Sequence, residues 1–152
     1  MRAILAMIFG LLACGAALGQ GISPVMSECG GKRCTGQFTA TNLNPVPAVV
    51  TVQAVSFKPG TGNEALDPKI HFELRDMAAR LGPKGSHTFY WTAQCDELPC
   101  YFAIYASFSA KQDKPSATGM FMTICLPTTV WMCEKSKDCR VNIRKEVFHD
   151  AQ

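Results

Sequence analysis

Apolar and polar residues alternate with a period of two along much of this chain. The clearest example lies between residues 67 and 74, where Ile70, Phe72 and Leu74 alternate with polar side chains. Because successive side chains of a β-strand point to opposite faces, this pattern indicates a strand with one buried face. Similar alternation, or a run rich in Val and Thr, predicts further strands at 22–27, 35–41, 48–57, 88–93, 101–109, 120–126 and 129–132.

The segments between these strands carry the residues that favour turns. About seven short strands separated by such turns predict an all-β fold, an antiparallel β-sandwich. The single helical candidate is 75–81, which is long enough for a turn or two at most. Gly, Pro, Asn and Ser cluster in four of the predicted turns, at 42–45, 58–63, 81–85 and 114–116.

Residues 1–19 have the layout of a secretory signal peptide. A charged start is followed by an unbroken run of apolar and small residues, and Ala17 and Gly19 suit the −3 and −1 positions of a cut before Gln20. The run is too short for a comfortable membrane span, which takes about 20 apolar residues. We therefore expect the mature chain to be periplasmic or secreted.

An alternative interpretation of the same segment makes the chain a lipoprotein. Leu11, Leu12, Ala13 and Cys14 resemble a bacterial lipobox, in which the cysteine is lipidated and becomes the first residue of the mature chain. Lipidation at Cys14 predicts an outer-membrane lipoprotein. Both interpretations place the chain outside the cytoplasm, where cysteines form disulfides.

The charge and the length fit one domain that does not bind nucleic acid. The formal net charge is +3, and Arg2 in the predicted signal peptide contributes to it. This charge is weak and scattered, unlike the basic stripe of a nucleic-acid-binding domain. The only basic cluster, at 135–145, is expected to be solvated. We expect one domain at 20–133, followed by a basic C-terminal tail at 134–152.

Most of the eight cysteines form pairs that are close in sequence. An oxidising compartment favours disulfides, and proximity favours local pairing, although spacing does not determine connectivity. Zinc ligation is the alternative, but two-residue gaps are commoner in zinc sites than the four-residue gaps of the first two pairs. We expect no metal and no cofactor. The predicted disulfides are Cys29–Cys34, across the base of a hairpin between the first two strands, Cys95–Cys100 and Cys133–Cys139.

Cys125 is left over from this pairing. It lies in a predicted strand between Ile124 and Leu126. A free cysteine in such a position usually behaves as a small apolar residue. We predict a buried, inert free thiol, with an intermolecular disulfide as the alternative.

No arrangement of residues in the chain points to catalysis. The histidines are His71, His87 and His149. His87 follows Ser86, but adjacent residues of a regular strand point to opposite faces and so do not form a nucleophile–base pair. No Gly-rich loop precedes a helix, as a phosphate-binding loop requires. We therefore expect that the protein is not an enzyme.

Several short motifs, taken in order, resemble one protein family across residues 21–133. The chain is similar to the N-terminal, immunoglobulin-like domain of the periplasmic pilus-assembly chaperones, the PapD-like domains. This resemblance implies an immunoglobulin-like antiparallel β-sandwich. The motifs are the opening segment 21–24, strand 37–44 with its Asn-containing turn, the corner formed by 70–74 and 81–86, the strand entry 98–102 and the final strand 120–132.

The resemblance implies that this protein works by β-augmentation through its final strand. In the family, that strand donates alternating apolar side chains into the groove of an incomplete pilin subunit, while main-chain hydrogen bonds supply affinity. Pro127 fits an edge strand and not a central one. The alternative is that the same side chains pack into their own core. The implied donors are Met120, Met122, Ile124 and Leu126.

The chain departs from the family pattern at two points. The family anchors the pilin's C-terminal carboxylate with an Arg and a Lys, and those places hold Met26 and Thr129, which carry no charge. The family also has a second immunoglobulin-like domain, and 134–152 is too short for one. The resemblance therefore implies a one-domain relative without this carboxylate anchor.

These expectations combine into one function and one alternative. We expect an extracytoplasmic protein-binding module, chaperone-like or accessory in envelope or pilus assembly, whose partner is a pilin-like subunit or another envelope protein. The alternative is a structural or adhesive envelope component, anchored to the membrane through Cys14. In the absence of lipidation we expect no membrane contact.

Overall fold

The computed structural model of the chain describes residues 19–56, 65–110 and 123–134. These residues form nine β-strands and contain no helix, so no membrane-crossing helix is found among them. Outside the described residues lie the predicted signal peptide up to residue 18, Cys14, Met120, Met122, Cys139, His149 and the tail from residue 135. The strands are β1 (Gln20–Ser23), β2 (Met26–Gly30), β3 (Arg33–Asn42), β4 (Ala48–Ser56), β5 (Ile70–Leu74), β6 (Ala78–Leu81), β7 (Ser86–Cys95), β8 (Cys100–Ala110) and β9 (Thr123–Cys133).

The strands form two sheets that pack face to face, which confirms the predicted immunoglobulin-like β-sandwich. One sheet has four strands in the order β1-β3-β7-β5, and the other has five in the order β2-β9-β8-β4-β6. All neighbouring strands described are antiparallel except β2 and β9, which are parallel. The parallel pair is the one addition to the antiparallel architecture that the sequence predicts.

The opening segment of the sandwich crosses from one sheet to the other. β1 pairs with β3, so that Ile22 lies opposite Ala40, whereas β2 pairs with β9. Pro24 lies between them, and its carbonyl accepts a hydrogen bond from the Thr128 hydroxyl at 2.7 Å. The single edge strand predicted at 22–27 is therefore two short strands, because Pro24 interrupts the first ladder.

The core confirms the predicted alternation. Phe102, Ile104, Ala106 and Phe108 of β8 are all buried, and so are Phe38 of β3 and Phe89 and Trp91 of β7. The Phe38 and Phe89 rings stack with centroids 5.2 Å apart, and the Trp91 ring meets Phe102 edge-on. Aromatic side chains from both sheets therefore fill the space between them, and each such pair adds about 0.5–1.5 kcal/mol beyond its area burial.

The helical candidate at 75–81 is wrong. Residues 78–81 form strand β6, which pairs with β4 so that Leu81 lies opposite Ala48 and Ala79 opposite Val50. Leu81 is buried, at 2% exposure. A helix of one or two turns is marginal without packing, and the free edge of β4 offers this segment a full set of backbone partners.

Disulfides join the two sheets at one end of the sandwich. Cys29–Cys34 connects β2 to β3, and Cys95–Cys100 connects β7 to β8. The first loop is not the tip of a hairpin, because β2 and β3 belong to different sheets. Cys133 at the end of β9 is also disulfide-bonded, and its predicted partner Cys139 lies outside the described residues.

Candidate functional site

Half of β9 is an open sheet edge among the described residues. Its pairing with β8 runs from Thr123 to Met132. On its other side, β2 pairs only with 129–133. Residues 123–128 therefore have a strand on one side and none on the other within the described part of the chain. We call this stretch, 123–128, the open edge.

The pairing of β9 with the opening segment shows which backbone groups of the open edge face outward. The Thr129 N–H donates to the Val25 carbonyl at 3.0 Å, so the backbone of Thr129 points away from β8. Residues two apart in a strand point the same way. The carbonyls of Thr123, Cys125 and Pro127, and the N–H groups of Thr123 and Cys125, therefore face outward.

Pro127 lies within a continuous strand and does not end it. The sequence predicts a break there, between strands at 120–126 and 129–132, whereas β9 runs without interruption through Pro127. Proline has no N–H, and the missing donor falls on the outward side, so the ladder with β8 loses nothing. The prediction that Pro127 marks an edge strand fits this geometry.

The apolar side chains of the open edge share the inner face of the sheet but differ in burial. Leu126 packs against the core, whereas Ile124 is 37% exposed. Thr128, Val130 and Met132 continue the same face and are buried. Of the four implied donors, Ile124 is thus the described one whose side chain is still accessible to a partner. The other two implied donors, Met120 and Met122, lie outside the described residues.

The prediction that Cys125 is buried is wrong, although its thiol is free as predicted. Cys125 is exposed, and its sulfur lies 3.2 Å from the Ser107 hydroxyl. The alternation of β9 explains the exposure, since Ile124 and Leu126 occupy the inner face and Cys125 the outer one. The open edge therefore contains an exposed thiol that a reagent can label.

Alkylation under native, non-reducing conditions is expected to label Cys125 and to leave the four cysteines of the two described disulfides unmodified. Cys95 and Cys100 are at most 1% exposed and Cys34 is 7% exposed, so their bonds are shielded from thiols in solution. Iodoacetamide treatment followed by peptide mass mapping measures this directly. Label at Cys29 or Cys34, or an unmodified Cys125, would contradict the expectation.

The two positions that the resemblance aligns with a carboxylate anchor lie next to each other. Met26 and Thr129 lie opposite each other in the β2–β9 ladder. Neither carries a charge, and the Thr129 hydroxyl lies 3.5 Å from the Val25 carbonyl. The pair therefore provides no cation that could bind a carboxylate.

The described histidines do not form a catalytic cluster. His71 Nε2 lies 3.1 Å from Asp96 Oδ2, and both side chains are more than half exposed. His87 lies edge-on to Phe89, while Ser86 is exposed on the opposite face, as the alternation predicts. Among the described residues, no three His, Cys, Asp or Glu side chains are placed to hold a metal ion.

Comparison with known proteins yields structural matches alone. No family model matches the sequence, and no curated protein matches it. A solved structure of a Salmonella enterica SafA pilin in complex with the SafB chaperone matches 81% of this chain and 58% of its own, with a TM-score of 0.63 and 8% identity. The E. coli chaperone DraB matches 80% of this chain and 57% of its own, with a TM-score of 0.55 and 12% identity. The fold is PapD-like.

The PapD-like sandwich also matches a single domain over most of that domain's length. The PapD-like domain 7 of human CEP192 is covered to 88%, with 80% of this chain aligned, a TM-score of 0.50 and 10% identity. By contrast, the chain spans little more than half of the length of the two pilus-related chains that it matches. Similarity at this identity establishes the PapD-like fold and assigns no role to any residue.

Proposed function

We propose that this PapD-like chain is an extracytoplasmic protein-binding module, chaperone-like or accessory in envelope or pilus assembly, that pairs with a partner strand along β9. The proposal rests on the open edge. In this stretch of β9, main-chain N–H and C=O groups face outward, and no described strand pairs with them. The binding unit is the domain at 20–133, and the proposal includes no catalytic step and no cofactor.

Strand addition suits the chemistry of the open edge. An incoming strand gains main-chain hydrogen bonds from Thr123 and Cys125 and a carbonyl acceptor at Pro127. A side chain of the partner that lies beside Ile124 covers the exposed part of this residue, and burial of apolar surface stabilises by about 25 cal/mol per Å². Met120 and Met122 remain part of the proposed donor set on the sequence pattern alone, and methionines adapt to irregular grooves. The uncharged Met26 and Thr129 mean that a carboxylate anchor is not part of this proposal.

The test uses Cys125 as the attachment point for a photo-cross-linker. A maleimide–benzophenone on this thiol lies on the outer face and leaves the backbone edge accessible. In native envelope extracts we expect a cross-link to one predominant protein, through a segment with alternating apolar residues. Ile124→Asp is expected to reduce the cross-linked yield by about tenfold, because a charge on the inner face cannot be buried in a partner groove.

Thr123→Asp provides the matched control. It adds the same charge to the adjacent residue, but on the outer face, so the cross-link is expected to persist. Equal loss in both variants, or a cross-link unaffected by Ile124→Asp, would exclude recognition through the inner face. Unfolding midpoints in urea of both variants, within error of the parent, show that the sandwich is intact.

A structural or adhesive envelope component is the second candidate, supported by the lipobox-like residues 11–14. In that case the mature N-terminus is an acylated Cys14, and the protein is found in the membrane fraction. The Cys14→Ser variant, which cannot be acylated at this position, is then found in the soluble fraction. Intact-mass measurement of the processed chain distinguishes this outcome from a cut before Gln20, which yields an unmodified soluble chain.

A further inference from the structure

A groove of about 640 Å³ lies on the outer face of the four-stranded sheet, away from the open edge. It covers three adjacent strands at one level, where Gly36 of β3, Trp91 of β7 and Leu74 of β5 lie in register. Its volume falls within the range of small-molecule sites, roughly 300–1,000 Å³. Six polar side chains surround it: Thr35, Gln37, Glu73, Arg75, Tyr90 and Thr92.

The alternation of the strands explains why these side chains converge outside the core. Phe89, Trp91 and Ala93 of β7 are buried, so Tyr90 and Thr92 point to the opposite face. The tyrosine is 48% exposed, which makes it a large aromatic surface on an otherwise polar sheet. The sequence carries this signal, since Tyr90 alternates with the apolar residues of the strand predicted at 88–93 and so shares its polar face with Thr88 and Thr92.

Outward side chains beyond both ends of the groove form hydrogen bonds with one another, whereas the six polar side chains of the groove do not. On one side Arg33 donates to Gln94 at 3.1 Å and His71 meets Asp96, and on the other the Thr39 and Thr88 hydroxyls lie 2.9 Å apart. Within the described part of the chain, none of the six groove side chains forms a side-chain hydrogen bond or ion pair. Their donors and acceptors are available to a ligand.

The mixture of groups selects a neutral ligand with many hydroxyls. Glu73 accepts, Arg75 donates, and the amide of Gln37 and the hydroxyls of Thr35 and Thr92 do both. One negative and one positive side chain balance each other, so the groove does not favour a highly charged polymer. The exposed ring of Tyr90 provides a flat apolar face next to these polar groups.

Another protein strand does not fit this groove. β3 and β7 are paired on both sides, so their backbone groups are already used within the sheet. The side chains that point outward around the groove include the charged Glu73 and Arg75, whereas the core of a protein–protein interface is depleted of charged residues. We propose that this groove binds a neutral oligosaccharide, stacked on Tyr90 and hydrogen-bonded by Gln37, Glu73 and Arg75.

The test titrates the mature protein with cellohexaose, maltohexaose and chitohexaose, and with polygalacturonate as an anionic comparison. Two-dimensional NMR is expected to show saturable shifts of the amides of Tyr90, Gln37 and Glu73 with at least one neutral hexasaccharide. Tyr90→Ala is expected to weaken that binding by at least about tenfold, equal to about 1.4 kcal/mol. Tyr105→Ala is the matched control, since it removes a half-buried tyrosine from the outer face of the other sheet and leaves the groove unchanged.

The proposal is overturned if no neutral oligosaccharide gives saturable shifts, if polygalacturonate alone binds, or if Tyr90→Ala leaves affinity unchanged while its unfolding midpoint is preserved. The outcome is independent of strand addition, because the groove and the open edge lie on different sheets. Tyr90→Ala is expected to leave the Cys125 cross-link intact, and Ile124→Asp to leave oligosaccharide binding intact.

Discussion

Asn42→Ala is expected to destabilise the sandwich by about 3 kcal/mol, because this side chain is buried and ties two loops to the end of β3. Its Nδ2 donates to the Val46 carbonyl at 2.8 Å and to the Gly82 carbonyl at 3.0 Å, and its Oδ1 accepts from the Asn44 N–H at 3.2 Å. Asn42 is 0% exposed. Each buried polar group left without a partner costs about 1–3 kcal/mol, and water reaches this site poorly.

Urea unfolding under non-reducing conditions measures this loss as a lower midpoint at unchanged slope. Asn44→Ala is the matched control. It removes the same type of side chain two residues away and keeps the backbone N–H that donates to Asn42 Oδ1. The free energy of unfolding is therefore expected to change by less than about 0.5 kcal/mol. A comparable loss in both variants would show that the loop tolerates neither change and that the three hydrogen bonds are not the cause.

Gly36→Ala is expected to cost about 3 kcal/mol, although it adds a single methyl group. A Cβ at this position would lie 2.2 Å from Trp91 Cζ2 and 2.6 Å from Cε2. Trp91 is 2% exposed and is held between Phe72 and Phe102, so its ring has little room to move. Overpacking of this kind typically costs 1–3 kcal/mol. Glycine inside a strand usually marks such a close approach.

Two further variants separate this clash from a general effect of alanine. Gly82→Ala places its Cβ where no atom lies within 4 Å, so it is expected to be close to neutral in the same urea experiment. In a Trp91→Phe background the smaller ring leaves space, and Gly36→Ala is expected to cost at least about 1 kcal/mol less than in the parent. An unchanged penalty in that background would mean that Trp91 is not what the new methyl group meets.

The strands that cross the middle of the sandwich were predictable from the sequence alone. Ile70, Phe72 and Leu74 alternate with polar residues, and so do Phe102, Ile104, Ala106 and Phe108, and both sets face the core. This succeeds because the direction of a side chain in an extended strand is a local property with a period of two. The Cys29–Cys34 and Cys95–Cys100 pairs were predictable for a similar reason, since a short loop keeps two sulfurs within reach.

Other elements depended on partners that are distant in sequence. Residues 78–81 form a strand because they pair with the edge of β4, and their own sequence does not indicate this pairing. β9 continues through Pro127 because the missing N–H faces away from β8. In each case the local pattern allowed two outcomes, and pairing or packing selected one.

For the candidate site, local alternation fixes which side chains share a face, and the pairing of distant strands fixes which part of β9 is open. Ile124 and Leu126 lie on the same face, as their spacing requires, yet Leu126 packs against the core and Ile124 remains 37% exposed. Within the described residues, the open edge exists because β2 pairs with β9 only from Thr129 onward. The Thr128 hydroxyl, just before that point, donates to the carbonyl of Pro24, which is 104 residues away in the chain. The alternation of side chains between two faces is a local property of an extended strand. How much of an edge is paired depends instead on where a strand distant in sequence begins or ends, here β2.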